Sequence, residues 1–115
     1  MAIEPEITFR NMEPSDAIRE KVVERMAWLE RHNNRITRLH VILEAPHRNH
    51  KKGKIYHVKI TVGMPGRPDL VVSHEPEENH AHEDVYVAIR DAFDAARRQL
   101  KNASDQQNGK VKTHS

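Results

Sequence analysis

HEDVYVAIRDAFDAARRQLK, residues 82–101, is the stretch whose reading decides the fold. On a 3.6-residue period Val85, Ile89, Ala92, Ala96 and Leu100 gather on one side, with Phe93 at the edge of the stripe. Glu83 and Asp84 are read into the first turn, where a carboxylate meets the positive end of the helix dipole; Arg97, Arg98 and Lys101 fall in the last turn, where cations are favoured. No Gly or Pro interrupts the run. Packing does not require a second feature: Tyr86, Arg90, Arg97 and Lys101 share the flank beside the stripe. An aromatic and three cations in line can track a phosphate backbone, the ring stacking on a base. The competing reading is a solvated amphipathic helix with ordinary charges.

Upstream, NMEPSDAIRE, residues 11–20, supplies another helix start, with Pro14 tolerated near the beginning and Ser15 as N-cap. Ile18, Val22, Met26 and Leu29 form its stripe, and the helix should end near Arg31. His32, Asn33 and Asn34 then break it, asparagine being tolerant of left-handed geometry. Lys21, Arg25, Trp28 and His32 share a flank of this helix too. Trp28 reads either as a cover for the edge of the core or as a stacking platform beside two cations. The same layout on both helices favours the nucleic-acid reading.

Residues 3–10 read as a strand, Ile3, Ile7 and Phe9 alternating with Glu6, Thr8 and Arg10. Pro5 lacks a backbone donor, which points to an edge strand or one that starts late. In residues 36–45, Leu39, Val41 and Leu43 alternate with Arg38, His40 and Glu44. A polar loop follows, with Gly53 at its turn and Arg48, Lys51, Lys52 and Lys54 as a secondary basic group. Lacking an apolar anchor, residues 47–54 are expected to be mobile. Tyr56, Val58, Ile60 and Val62 make the inner face of the next strand, opposite His57, Lys59 and Thr61. GMPGRPD is a turn, Leu70, Val71 and Val72 a short strand ended by Pro76, and EPEENHAHED the approach to the second helix. Beyond residue 103 almost nothing is apolar, so the expected organisation is one domain over residues 1–103 and a disordered tail over 104–115.

The element order is therefore β-α-β-β-β-α. A four-stranded sheet with one wet face leaves the other for both helices, a two-layer α+β sandwich. The expected core includes Ile7, Ile18, Val22, Leu39, Val41, Leu43, Val58, Ile60, Ile89 and Phe93.

At 115 residues the chain suits a single core. No run is long and apolar enough to span a membrane, and the N-terminus lacks the pattern of a secretory signal, so a cytoplasmic location is expected. The absence of cysteine excludes disulfides, thiolate zinc sites and a cysteine nucleophile. The net charge of +2 conceals segregation. Residues 10–67 carry 13 basic and 6 acidic side chains, residues 69–94 carry 1 and 8, and residues 97–115 carry 5 and 1. A basic body around an acidic segment suits a nucleic-acid partner.

The helix EDVYVAIRDAFDAARRQLK, together with SDAIREKVVERMAWLERHNNRI, resembles the ribosome hibernation-promoting factors, a family that includes ribosome-associated translation inhibitors and sigma-factor modulation proteins. The resemblance runs from about Ile3 to Asn102. It is carried by Asp84, Tyr86, Ala88 and Ile89 with Arg98, Gln99 and Leu100, and by Ala17, Ile18, Arg19 and Glu20 with Leu29 and Glu30. It implies the same β-α-β-β-β-α fold, binding to the small ribosomal subunit where mRNA and tRNA would lie, and rRNA contacts from Arg19, Lys21, Arg25, Arg90, Arg97, Arg98 and Lys101. Trp28 and Tyr86 join these cations in the expected site, and Arg98, farther round its helix than Arg97, is the least well aimed. The chain departs from the family in its longer His- and Lys-rich loop and in its acidic approach to the second helix, while Asp91 and Asp94 dilute that helix's charge. These departures imply a weaker grip than in typical members. The HKKGK and HAHED segments look like a subgroup in which a cold-shock-type domain follows. Nothing resembles the dimerisation domain of long-form members, which implies that this chain does not pair ribosomes by that route.

Nine histidines include the close pairs His47/His50 and His80/His82, but zinc wants three or four ligands at fitted spacing, and no metal or cofactor is expected. Ser15, Ser73 and Ser104 lack nucleophile-elbow surroundings, and no Gly-rich phosphate loop is present. Glu75, Glu77 and Glu78 repel one another in water rather than forming an acid–base pair. The expectation is not an enzyme, with no small-molecule substrate and no membrane partner. Two classes of function stay open. One is a factor that occupies the decoding channel of the small subunit and inhibits translation under stress. The other is a protein-interaction module that docks on a transcription or stress component through its acidic loop and wet sheet face, without RNA.

Overall fold

The computed structural model describes residues 5–33, 35–45, 56–74 and 84–112, with side chains described as far as residue 102. Pro5–Arg10 forms strand β1, Asp16–His32 helix α1, Arg38–Glu44 β2, His57–Gly63 β3, Leu70–His74 β4 and Val85–Lys112 helix α2. The sheet order is β1-β2-β3-β4. β1 runs parallel to β2, and β2, β3 and β4 are successively antiparallel. β1 is an edge strand, as Pro5 requires, and Pro5 lies opposite Leu39.

The helix boundaries follow from caps. Ser15, extended at φ −134 and ψ 126, accepts the Ile18 N–H on its hydroxyl at 3.3 Å and the Arg19 N–H on its carbonyl at 2.9 Å. At the other end the Asn33 N–H donates to the Leu29 and Glu30 carbonyls at 3.1 and 3.2 Å. Asn33 does so from extended backbone, φ −153, and its side-chain oxygen accepts the Arg35 N–H at 3.0 Å. It thus stops α1 by a local side-chain turn, not by the left-handed geometry expected of it. Among the described residues the left-handed asparagine is Asn11, φ 56, just past β1.

α2 begins at Val85, where its apolar stripe begins. Asp84 stands outside the first turn as its cap: Oδ1 accepts the Tyr86 N–H at 2.7 Å and its carbonyl accepts the Ala88 N–H at 3.0 Å. Its carboxylate therefore serves a backbone donor directly; Glu83 lies outside the described residues. α2 runs on to Lys112, past the point where the polar composition suggested a disordered tail. No proline occurs between Val85 and Lys112, so nothing forces its backbone ladder to stop at Asn102.

One continuous core lies between the sheet and both helices. Leu39, Val41, Leu43, Val58, Ile60, Val62 and Val72 supply the sheet side; Val22, Met26 and Leu29 come from α1, and Val85, Ala88, Ile89, Ala92, Phe93, Ala96 and Leu100 from α2. Phe93 is at the centre of this core, fully enclosed, and not at its edge. Ala88, Ala92 and Ala96 are likewise enclosed, small side chains that let the helix lie close to its neighbours. Ile7 and Ile18 are half-buried, because among the described residues nothing beyond the edge strand and the first turn of α1 completes their cover. The other sheet face is wet: Thr8 Oγ1 and His40 Nε2 lie 2.9 Å apart on it, and Val71 is 49% exposed. Since β1, β2 and β4 share one direction, α1 and α2 both run against them and are parallel to each other.

Replacing the enclosed ring should be costly: Phe93→Ala is expected to lose about 3–5 kcal/mol, the usual cost of emptying an aromatic site in a core. Ile7→Ala, at the half-buried edge, should lose clearly less. Urea unfolding of both variants followed by circular dichroism checks the order.

Candidate nucleic-acid interface

The two helices meet along their flanks, and one ion pair sets their register. Arg25 Nη2 lies 3.2 Å from Asp94 Oδ1, linking positions 69 residues apart. The same offset places Lys21 level with Arg90, Trp28 with Arg97, and His32 with Lys101 along the parallel pair. The flanks picked out by periodicity thus face the same interhelical groove.

Arg25 is not a free cation. Its side chain is 20% exposed, its guanidinium sits 4.2 Å from the centre of the Trp28 ring, and its Nε is enclosed without a hydrogen-bond partner. The charge is spent on Asp94 and the Trp28 ring. Trp28 is half-buried against the core, with His32 tilted at 52° and 4.7 Å between ring centres. Of its two readings, cover for the core edge describes where the ring sits. His32 Nδ1 donates to the Trp28 carbonyl at 2.8 Å.

The other expected site residues fall into three groups. Lys21 and Arg90 are held by carboxylates on their own helices: Lys21 Nζ is 2.9 Å from Glu24, and Arg90 places Nε and Nη2 both 3.2 Å from Asp91 Oδ1. The hydrogen bond from Lys21, then its charge, hold the Glu24 carboxyl below the ordinary carboxylate range, Arg25 adding a smaller pull against slight desolvation. Glu24 therefore stays ionised beside Lys21 at neutral pH and releases it only in acid. Arg19 stands apart, its guanidinium 5.4 Å from the centre of the Phe9 ring of β1. It is on the flank away from α2, since a helix turns by roughly 100° per residue and Arg19 precedes Lys21 by two.

Arg97, Arg98 and Lys101 form the third group. All three are exposed, and none has a carboxylate partner among the described residues. Arg97 and Lys101 line a groove of about 150 Å³ with Leu100 from α2 and Leu29, His32 and Asn33 from α1. Arg98 is turned roughly 100° from Arg97 and is absent from that lining. Tyr86, 39% exposed in the first turn of α2, keeps an aromatic ring near the other end. Arg48, Lys51, Lys52 and Lys54 lie outside the described residues, as do the acidic approach to α2 and the His47/His50 and His80/His82 pairs. Among the described residues no group of three His, Asp or Glu could hold a metal ion, and no helix is long and apolar enough to cross a membrane.

The sequence reading did not see Asp94 as the partner of Arg25, nor Asn33 in the groove; it placed His32 on the flank but gave it no role. The i, i+4 spacing of Trp28 and His32 was the available signal for the histidine. Nothing local marks Asn33.

Residues 6–108 match the family described as sigma 54 modulation protein / S30EA ribosomal protein. The chain is 31% identical over 101 residues to a ribosome hibernation promoting factor of Pseudomonas putida, covering 88% of this chain and 86% of that protein. Among solved structures it resembles the N-terminal domain of Thermus thermophilus Protein Y, with TM-score 0.64, 29% identity, and coverage of 89% of this chain and 98% of that one. A ribosomal subunit interface protein from Coxiella burnetii shares the fold at TM-score 0.69 and 18% identity, with 88% and 97% covered.

The interhelical pair should show measurable coupling. In a double-mutant cycle of Arg25→Ala and Asp94→Asn, a coupling energy of about 1 kcal/mol is expected, at the upper end of the range for solvent-exposed pairs because Arg25 is mostly covered. Arg25→Ala alone should lose roughly 0.5–1 kcal/mol more, from the lost Trp28 contact. Denaturant unfolding of the four proteins measures both.

Proposed function

The chain belongs to the sigma 54 modulation protein / S30EA ribosomal protein family, and from that premise we propose that it is a ribosome hibernation factor that binds small-subunit rRNA and inhibits translation by occlusion. The observation that carries this reading is the set of cations without carboxylate partners among the described residues, Arg97, Arg98 and Lys101, clustered at one end of the helix pair. Exposed cations with no carboxylate to satisfy them are available to phosphates, and each phosphate bound releases counterions to the solvent. The name of the Pseudomonas putida relative supports a role in hibernation.

Phosphate contacts fix position without reading sequence, so selectivity in this mechanism comes from the shape of the ribosomal cleft. The folded body then stands where mRNA and tRNA would lie, and no bond is made or broken. The factor works in the cytoplasm, under stress, without a cofactor. Lys21 and Arg90 contribute less than their number suggests, because a phosphate must first compete with Glu24 and Asp91. Arg25 acts by holding the helices in register.

Co-sedimentation with purified ribosomal subunits at low and high salt tests the proposal. The parent chain should pellet with the small subunit at low salt and dissociate steeply as salt rises, the slope falling by roughly 0.7–0.9 for each phosphate contact removed. Arg97→Glu with Arg98→Glu and Lys101→Glu should abolish binding and relieve inhibition of translation in vitro. Lys59→Glu, on the wet sheet face, should change neither. Were the folded triple variant to bind and inhibit like the parent, or were binding insensitive to salt, the rRNA reading would fall.

A further inference from the structure

The groove at the C-terminal end of α1 holds an unusual set of groups for a solvent-facing cleft. From α2 it takes Arg97 and Lys101, two cations with no carboxylate partner among the described residues; from α1 it takes His32 and Asn33 over an apolar floor of Leu29 and Leu100. Three backbone acceptors near this helix C-terminus are already occupied. The Trp28 carbonyl takes the His32 ring N–H, and the Leu29 and Glu30 carbonyls take the Asn33 N–H. The two cations of the lining offer donors only.

The side-chain assignments agree. The oxygen of the Asn33 amide is engaged by the Arg35 N–H, which leaves its NH₂ group to donate. His32 commits Nδ1–H to the Trp28 carbonyl, which leaves Nε2, an acceptor in the neutral ring and a donor once the ring is protonated. The groove, about 150 Å³, is large enough to admit a tetrahedral oxyanion.

We infer that this groove is a discrete pocket for one phosphate group, held by Arg97, Lys101 and the Asn33 amide and tightened by protonation of His32. The inference rests on the rRNA reading only for the source of the phosphate; the pocket itself stands on the donor set. The phosphate is either a backbone phosphodiester of RNA or a free phosphate ion, since the chemistry that recognises them is shared. Among the described residues the charged groups facing His32 are Arg97 and Lys101 across the groove, with Arg31 beside it in sequence and no carboxylate in the lining. A bound phosphate sets negative charge beside the ring. Anion binding and proton uptake at His32 are therefore coupled, each strengthening the other.

Amide and side-chain NMR of the full chain tests this, with inorganic phosphate added at constant ionic strength and, separately, a short single-stranded oligoribonucleotide lacking terminal phosphates. Saturable shifts centred on His32, Asn33, Arg97 and Lys101 are expected. Arg97→Gln and Lys101→Gln should each weaken binding roughly tenfold, the loss of one charge-assisted hydrogen bond, while Lys59→Gln changes nothing. Oligonucleotide binding should be tighter at about pH 5.5 than at about pH 7.5, a phosphodiester keeping its charge across that range, and His32→Gln should remove the difference. A response to the oligonucleotide assigns the pocket to RNA. A response to the free ion alone keeps the pocket and counts against the rRNA reading. Shifts spread evenly over every helix cation, or no saturable response to either probe from chains whose spectra show them folded, would overturn the inference.

Discussion

Two helices laid on one face of a four-stranded sheet must meet along their flanks, and everything functional in this chain depends on that line of contact. Leu39, Val41, Leu43, Val58, Ile60, Val62 and Val72 present a single apolar surface. α1 and α2 have nowhere else to bury their stripes. The connection between the parallel strands β1 and β2, and then the run of antiparallel strands, make the helices parallel. Parallel helices bring equivalent turns side by side, so Arg25 can reach Asp94 while His32 and Asn33 come beside Lys101. An antiparallel pair would have put the last turn of α1 against Tyr86.

Charge along that line is apportioned by local partners rather than by number. Glu24 holds Lys21, Asp91 holds Arg90, and Asp94 holds Arg25. The acids that dilute the charge of α2 therefore act on the middle and N-terminal parts of the pair and leave the far end cationic. The Lys21–Glu24 and Arg90–Asp91 pairs add little to stability, because both ions stay solvated. Their effect is on where positive potential is available. Arg25 carries the largest structural share: it packs on Trp28 and leaves its own Nε enclosed without an acceptor, a cost tolerated because the guanidinium is held by Asp94 and by the ring.

Much of this was legible in the amino-acid sequence. The alternation of Leu39, Val41 and Leu43 with Arg38, His40 and Glu44 settled which strand face is inward, since a period of two admits no other assignment. The stripes of Val22, Met26 and Leu29 and of Val85, Ile89, Ala92, Ala96 and Leu100 settled the inner faces of the helices, and Ser15 settled where α1 begins. These are local properties: propensity, periodicity and capping act within a few residues of chain. The same locality explains the errors. Asp84 reads equally as first-turn acid or as cap until the backbone is seen, and Asn33 ends a helix in extended geometry although left-handed geometry is its better-known habit.

By itself the sequence determined the element order, the two-layer class, the inner faces and the flank on which each cation stands, because each follows from spacing along one element. Which cation finds a partner across the helix pair was decided only by the tertiary structure. Arg25 and Asp94 are 69 residues apart, and no pattern within either helix predicts that they meet. The groove of His32, Asn33, Arg97 and Lys101 likewise exists only once two parallel helices share a sheet face. Electrostatic availability is a property of through-space neighbours, and those neighbours are set by how the core packs.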